Sequence, residues 1–233
     1  TAVPVRQDGT TDYYYMSMQP IQREIVPGYQ TTFFAYENSV PGPTIQVDQG
    51  RQVVVRHCNR LPNQHPTLGY EPWTSVHLHG SASLPQFDGY ASDITRPGQF
   101  KDYHYPNFQQ ARTLWYHDHG VHHTAENAYM GCAAMYQMRD PLERSLPIPH
   151  GRYDIPLILS DAMFDVNGQL LFSYEDDSGM WGDVQLVNGR PWPVMQVERR
   201  KYRFRILAAA TARSYNLFLN TGDPLTVIAT DAG

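Results

Sequence analysis

Cysteine is almost absent. The chain has two in 233 residues, Cys58 and Cys132, too few for a disulfide framework or an all-cysteine metal site. Both lie in apolar, strand-like runs, which leaves open two buried free thiols or a single bridge. Excess positive charge is absent too: the formal charge is −5, so nothing electrostatic favours nucleic acid or an anionic membrane as a partner. No segment approaches the ~20 consecutive apolar residues that a membrane span needs. No Asn-x-Ser/Thr acceptor occurs. The opening residues, Thr1-Ala2-Val3-Pro4, have neither the basic nor the apolar region of a signal peptide, which fits a processed start as well as a cytosolic one. What remains is a globular composition, 41% hydrophobic and 18% charged, long enough for one large or two ordinary domains.

The pattern is that of strands. Thr31-Thr32-Phe33-Phe34-Ala35-Tyr36 is dense in β-branched and aromatic residues and is followed by the break Pro41-Gly42-Pro43. Residues 44–48 alternate apolar and polar, and Gln52-Val53-Val54-Val55-Arg56 reads as another strand. Residues 61–72, with three prolines and a glycine, read as a loop. Short strands with a turn signal every ten residues or so predict an all-β chain of β-sandwich or barrel type. One helix is predicted over 124–129, with Thr124 as its cap, and a strand resumes at 132–138. A Pro-rich stretch from Asp140-Pro141 to Gly151 marks the best boundary. It divides the chain into a first domain (1–141), a linker (142–152) and a second strand-rich unit (153–233). In that unit Asn188-Gly189 signals a tight hairpin. In 201–206 strict alternation predicts Tyr202, Phe204 and Ile206 facing a core, with Lys201, Arg203 and Arg205 facing out. Residues 225–233 read as a strand running into the chain end, with no closing element.

The chemistry is concentrated in two histidine pairs. Val76-His77-Leu78-His79-Gly80 and Leu114-Trp115-Tyr116-His117-Asp118-His119-Gly120 each place two histidines at i and i+2, on one face of a strand. Two copies of one pattern, each ending His-Gly, predict a shared metal site. Neutral imidazoles suit copper, zinc, nickel or iron and poorly suit magnesium or calcium. His122, close behind, resembles part of the His-x-His-x-Asp-His zinc motif, but Val121 stands where the aspartate is required. His57, His65, His104 and His150 carry no pattern. Asp118, between two of the histidines, reads either as a support for a neighbour or as a surface carboxylate.

Taken together, these motifs resemble the first two copper motifs of the multicopper oxidases. Phe87-Asp88-Gly89-Tyr90, Thr124-Ala125-Glu126-Asn127-Ala128-Tyr129, Asn188-Gly189-Arg190-Pro191-Trp192-Pro193 and the basic strand after it narrow the likeness to the bilirubin-oxidase branch, with the spore-coat laccases more distant. The resemblance runs along almost the whole chain. It implies cupredoxin-like Greek-key β-sandwich domains, one complete here and a second incomplete. It also implies a trinuclear cluster in which His77 holds the type 2 copper and His79, His117 and His119 the type 3 pair. There O2 would be reduced to water with electrons from a phenolic, aryl amine or tetrapyrrole donor, in a secreted enzyme. Asp88 matches the family's acidic residue in the proton path; a turn aspartate bonded to its own backbone is the plainer reading.

The later copper motifs of the family are missing, and neither cysteine has histidines spaced for a type 1 (blue) copper site. The expectation is therefore an N-terminal part of a longer enzyme. The C-terminal remainder would supply the type 1 copper and the other cluster ligands, and O2 and a small reductant would be the partners. Two other readings stay open: a non-catalytic copper-binding cupredoxin fragment, and a zinc hydrolase built on the same four histidines.

Overall fold

The structure, a computed structural model, describes residues 1–175 and 178–231. As the pattern predicts, it is mostly strand with few and short helices. A first sheet joins β1 (Arg6–Gln7), β2 (Thr11–Arg23), β5 (Gln52–Asn59) and β7 (Phe100–Tyr105), with β3 (Thr31–Tyr36) paired to β2. A second sheet runs β4 (Ile45–Asp48), β9 (Ala133–Arg139), β8 (Arg112–Asp118), β6 (Val76–His79). Strands β2 and β5 pair in parallel, as do β4 and β9. Parallel neighbours cannot be joined by a tight hairpin, so the chain must cross between the sheets to make them.

The two sheets share one core, to which both contribute fully buried side chains: Met16, Phe34 and Tyr103 from the first, Ile45, Leu78, Leu114, Tyr116 and Tyr136 from the second. A buried tyrosine hydroxyl usually finds a partner; those of Tyr36 and Tyr105 have none among the described residues, whereas three others are held. Tyr116 donates to the carbonyl of Pro43 (2.6 Å), and Tyr136 to Oδ1 of Asn107 (2.9 Å). Tyr103 accepts from the amide of Val76 (3.0 Å), which pins the start of β6 to the opposite sheet.

Helix α1 (Thr124–Tyr129) follows β8, as expected. Thr124 does not cap it. The cap position is His123, with no side-chain bond, and the Thr124 hydroxyl instead donates back to the carbonyl of Gly120 (3.0 Å). The Pro-rich stretch begins with a second helix, α2 (Pro141–Ser145). Its cap is Asp140, whose carboxylate accepts from Glu143 N, and proline stands in its first turn.

A third sheet runs β12 (Arg190–Pro191), β11 (Val184–Val187), β10 (Asp154–Ala162), β13 (Arg203–Ala208). The turn between β11 and β12 has positive φ at Asn188 (49°) and Gly189 (72°), the backbone that the Asn-Gly signal predicts. The alternation predicted on β13 is reversed: Arg205 is 4% exposed, whereas Phe204 and Ile206 are 40% and 43% exposed. The reason is electrostatic. Arg205 makes a two-pronged bond to the buried Asp154 (2.8 and 2.9 Å), lies 3.3 Å from Glu143 and donates to Thr113 Oγ1 on β8 (2.8 Å). Arg139 and Arg203 join the same carboxylates. Counter-ions at this junction outweigh the apolar pattern of the strand.

The strand expected at 225–233 is not seen: residues 209–231 carry no strand, and Ala232 and Gly233 lie outside the described residues. Extended backbone becomes sheet only where a ladder partner exists, and none pairs with this segment among the described residues. Cys58 and Cys132 are free. Among the described residues no helix is long and apolar enough to cross a membrane.

Candidate metal centre

Strand β6 lies antiparallel to β8, with His77 opposite His117 and Leu78 opposite Tyr116. Val76 and Leu78 point into the core, so alternation turns His77 and His79 to the other face. On β8 the same rule sends Tyr116 inward and Trp115 and His117 toward the histidines. His119 stands just beyond the strand. The ring of His77 is 5.7 Å from His79, 5.5 Å from His117 and 5.5 Å from His119, and His117 and His119 are 5.9 Å apart. One ligand nitrogen from each of His77, His79 and His117 lies within 4.8 Å of the others. All four predicted histidines therefore meet in one place.

The rings are held by their surroundings. His77 donates its Nδ1 hydrogen to the backbone carbonyl of Asp88 (2.5 Å), and His117 donates its own to the carbonyl of Asp118 (2.7 Å). In both, the tautomer so fixed leaves Nε2 with its lone pair available, as a metal-binding imidazole requires. Trp115 stacks on His117 (4.0 Å) and lies 5.2 Å from the ring of His79, forming a wall of the site. His79 Nε2 lies 3.2 Å from Asp231. His119 Nδ1 is buried with no partner. Burial, and to a smaller extent the three neighbouring imidazoles, pushes His117 down to about 3, so it stays neutral at ordinary pH.

Asp88 follows a single 3-10 turn (Pro85–Phe87). Its carboxylate is 43% exposed, and Oδ1 lies 3.6 Å from His77 Nδ1. Asp118 is not a surface residue: it is fully buried, and burial raises it to about 7 against the opposing pull of its hydrogen bonds. Its Oδ1 accepts from Ser75 N (2.8 Å), and its Oδ2 from Gly120 N (3.0 Å) and Asn127 Nδ2 (3.0 Å). His122 is exposed and His123 stacks on Tyr70 (3.8 Å), outside the cluster. Trp115 as a wall of the site and Asn127 as a partner of Asp118 were not read from the motifs. The one available signal was an amide side chain on a short helix close behind the second histidine pair.

The donor set is made of nitrogens, neutral and gathered, with one buried ring nitrogen unpartnered and two rings aimed by carbonyls. That chemistry fits a borderline transition ion such as copper. A multicopper oxidase sequence profile matches residues 17–142. The chain is 46% identical over 230 residues to a bilirubin oxidase of Albifimbria verrucaria, covering 95% of this chain and 39% of that protein. It is 33% identical over 270 residues to a laccase of Bacillus subtilis (strain 168), covering 100% and 52%. Among solved structures, a laccase from Pediococcus acidilactici superposes with a TM-score of 0.80 at 30% identity, covering 90% of this chain and 44% of that one. The chain thus spans between two fifths and about half the length of these relatives, and its fold is cupredoxin-like.

Proposed function

Because the chain belongs to the multicopper oxidase family, we propose that His77, His79, His117 and His119 hold copper and form half of an O2-reducing cluster, His77 at the type 2 position and the other three at the type 3 pair. The observation that carries this is the gathering of the four imidazoles on one face of β6 and β8. Copper bound there would supply the one-electron steps that turn O2 into water.

The protein's share is to aim, shield and protonate. The carbonyls of Asp88 and Asp118 fix the His77 and His117 tautomers. Trp115 covers one face of the His117 ring. Asp88 is half exposed with Oδ1 3.6 Å from His77 Nδ1, and we assign it the delivery of protons that water formation consumes. Cys132 is buried in the apolar core with Sγ 3.5 Å from the carbonyl of Phe34, so it offers no electron-entry site. That site, with the remaining cluster ligands, is read as part of a longer protein in which residues 1–141 and 153–233 form a first domain and the start of a second. The reductant is read as a phenol, an aryl amine or a tetrapyrrole; bilirubin oxidase and laccase are the names of the relatives.

Elemental analysis with an EPR spectrum of the same sample tests this. Copper in the parent protein, and its loss when His77 and His117 are replaced by alanine, is the expected result. Zinc, or no transition metal, would overturn the copper reading and favour the hydrolytic alternative or an inert fragment.

A further inference from the structure

His119 differs from His77 and His117 in one respect: no carbonyl holds its ring. Its Nδ1 is buried without a partner, and it stands one residue past the end of β8. What fixes it is the backbone on either side. Its own amide donates to Ser75 O (2.7 Å), and the Asp118 carboxylate spans from Ser75 N to Gly120 N. That single carboxylate thus closes the gap between the segment entering β6 and the turn leaving β8, where the strand ladder has ended. Gly120 is packed into the same corner. A Cβ there would lie 3.1 Å from Trp73 O and 3.2 Å from Asp118 Oδ2.

The Asp118 carboxylate is itself held by Asn127, whose side-chain hydrogen bonds go to Tyr70, Trp73 and Asp118 and to none of the four histidines. Asn127 is fully buried. Its Nδ2 donates to Asp118 Oδ2 (3.0 Å) and to Trp73 O (3.0 Å), and its Oδ1 accepts from the Tyr70 hydroxyl (2.7 Å). The backbone repeats the link: Cys132 N donates to Asn127 O (3.0 Å) and Asp118 N to Cys132 O (3.1 Å). One amide side chain thereby ties α1, the 70–75 segment and the end of β8 together.

We infer that Asn127 is a positioning residue for the metal centre, acting through Asp118 to hold the turn that aims His119. The inference rests on the reading of the four histidines as a copper site. Removing the amide leaves Asp118 Oδ2 and Trp73 O with one donor fewer each, which loosens the corner where the two histidine pairs meet while the core stays packed.

The test compares Asn127→Leu with Tyr129→Phe, a change on the same helix that removes hydroxyl bonds to Met163 and Leu171 on its far side. Two quantities are read in the full chain: amide hydrogen exchange of the metal-free protein, and copper affinity by competition with a chelator. Asn127→Leu should speed exchange at Ser75 and Gly120 but not at Leu78, and weaken copper about 10- to 100-fold, the usual range for supports of metal ligands. Tyr129→Phe should lower the thermal midpoint yet leave both readouts within about twofold, since it touches no support of the site. Equal effects of the two changes, or unchanged exchange at Ser75 and Gly120, would overturn the inference. If Asn127→Leu fails to fold, Tyr70→Phe removes only the outer bond and should give a smaller loss of the same kind; no loss would count against it. A parent protein that binds no copper refutes the copper reading, while the exchange pattern still decides the role of Asn127.

Discussion

Gly89 is packed against the carbonyl group of Val76. A Cβ built on it would fall 2.2 Å from that oxygen, 2.5 Å from its carbon and 2.6 Å from the amide nitrogen of His77, at a φ of +74°. The turn that carries Asp88 is therefore seated directly on the first histidine strand. This is how the Asp88 carbonyl comes within 2.5 Å of the His77 ring.

Gly89→Ala should destabilise the protein by about 3 kcal/mol, combining left-handed strain with a backbone collision. Gly98→Ala is the control. Its φ is +86° with nothing within 4 Å of the added carbon, so only the ~1 kcal/mol conformational cost applies. Denaturant melts of the two variants read the difference. Equal losses would mean that the turn is not seated on β6 as described.

Copper should raise the thermal midpoint of the parent, because a ligand that binds only the folded state stabilises it by mass action. His79→Ala and His119→Ala should shrink that rise, while His104→Ala and His150→Ala, outside the cluster, should leave it unchanged. A rise that survives His79→Ala would place the metal elsewhere.

Asp88→Asn keeps the backbone carbonyl that holds His77 but cannot carry a proton. Copper content should stay at the parent level, and the O2-reduction rate of the full enzyme should fall by about 100-fold or more, as for loss of a proton donor. An unchanged rate would reduce Asp88 to its carbonyl.

His57 gives a pH dependence with a definite sign. It is wholly buried, ringed by Tyr36, Tyr103 and Tyr116 at 5.6, 5.5 and 6.0 Å, and burial pushes it down to about 3. The unfolded chain takes up a proton near 6.5 and the folded one does not. Stability from this residue is thus intact above 6.5 and lost as pH falls toward 3, at about 1.4 kcal/mol per pH unit. His57→Phe should flatten that limb. Melts of both proteins between pH 7 and 5 would show it, and parallel curves would refute it.

The strands were legible because β-branched and aromatic residues cluster where the sheets need them. The histidines were legible because a period of two is a geometric rule: Val76 and Leu78 inward means His77 and His79 outward. What stayed hidden depends on which groups supply the polar partners. Arg205 reads as an outward residue until Asp154 and Glu143 are placed beside it. Asp118 reads equally as a support or as a surface acid until Ser75, Gly120 and Asn127 surround it. A polar side chain is buried only when its bonds are supplied, and sequence periodicity does not record who supplies them.

The junction around Arg205 also bears on how such proteins can be recombined. Arg205 belongs to the third sheet, yet it grips Thr113 on the strand that bears His117, and its counter-ions come from α2 and β10. A chimera that joined residues 1–141 to the later strands of a relative would leave Asp154 and Glu143 replaced on one side and Arg139 retained on the other. A buried charge without its partner costs about 3–5 kcal/mol. The transferable unit therefore includes Arg139, Glu143, Asp154, Arg203 and Arg205 as a set, and a crossover point drawn by sequence boundaries alone would cut through it.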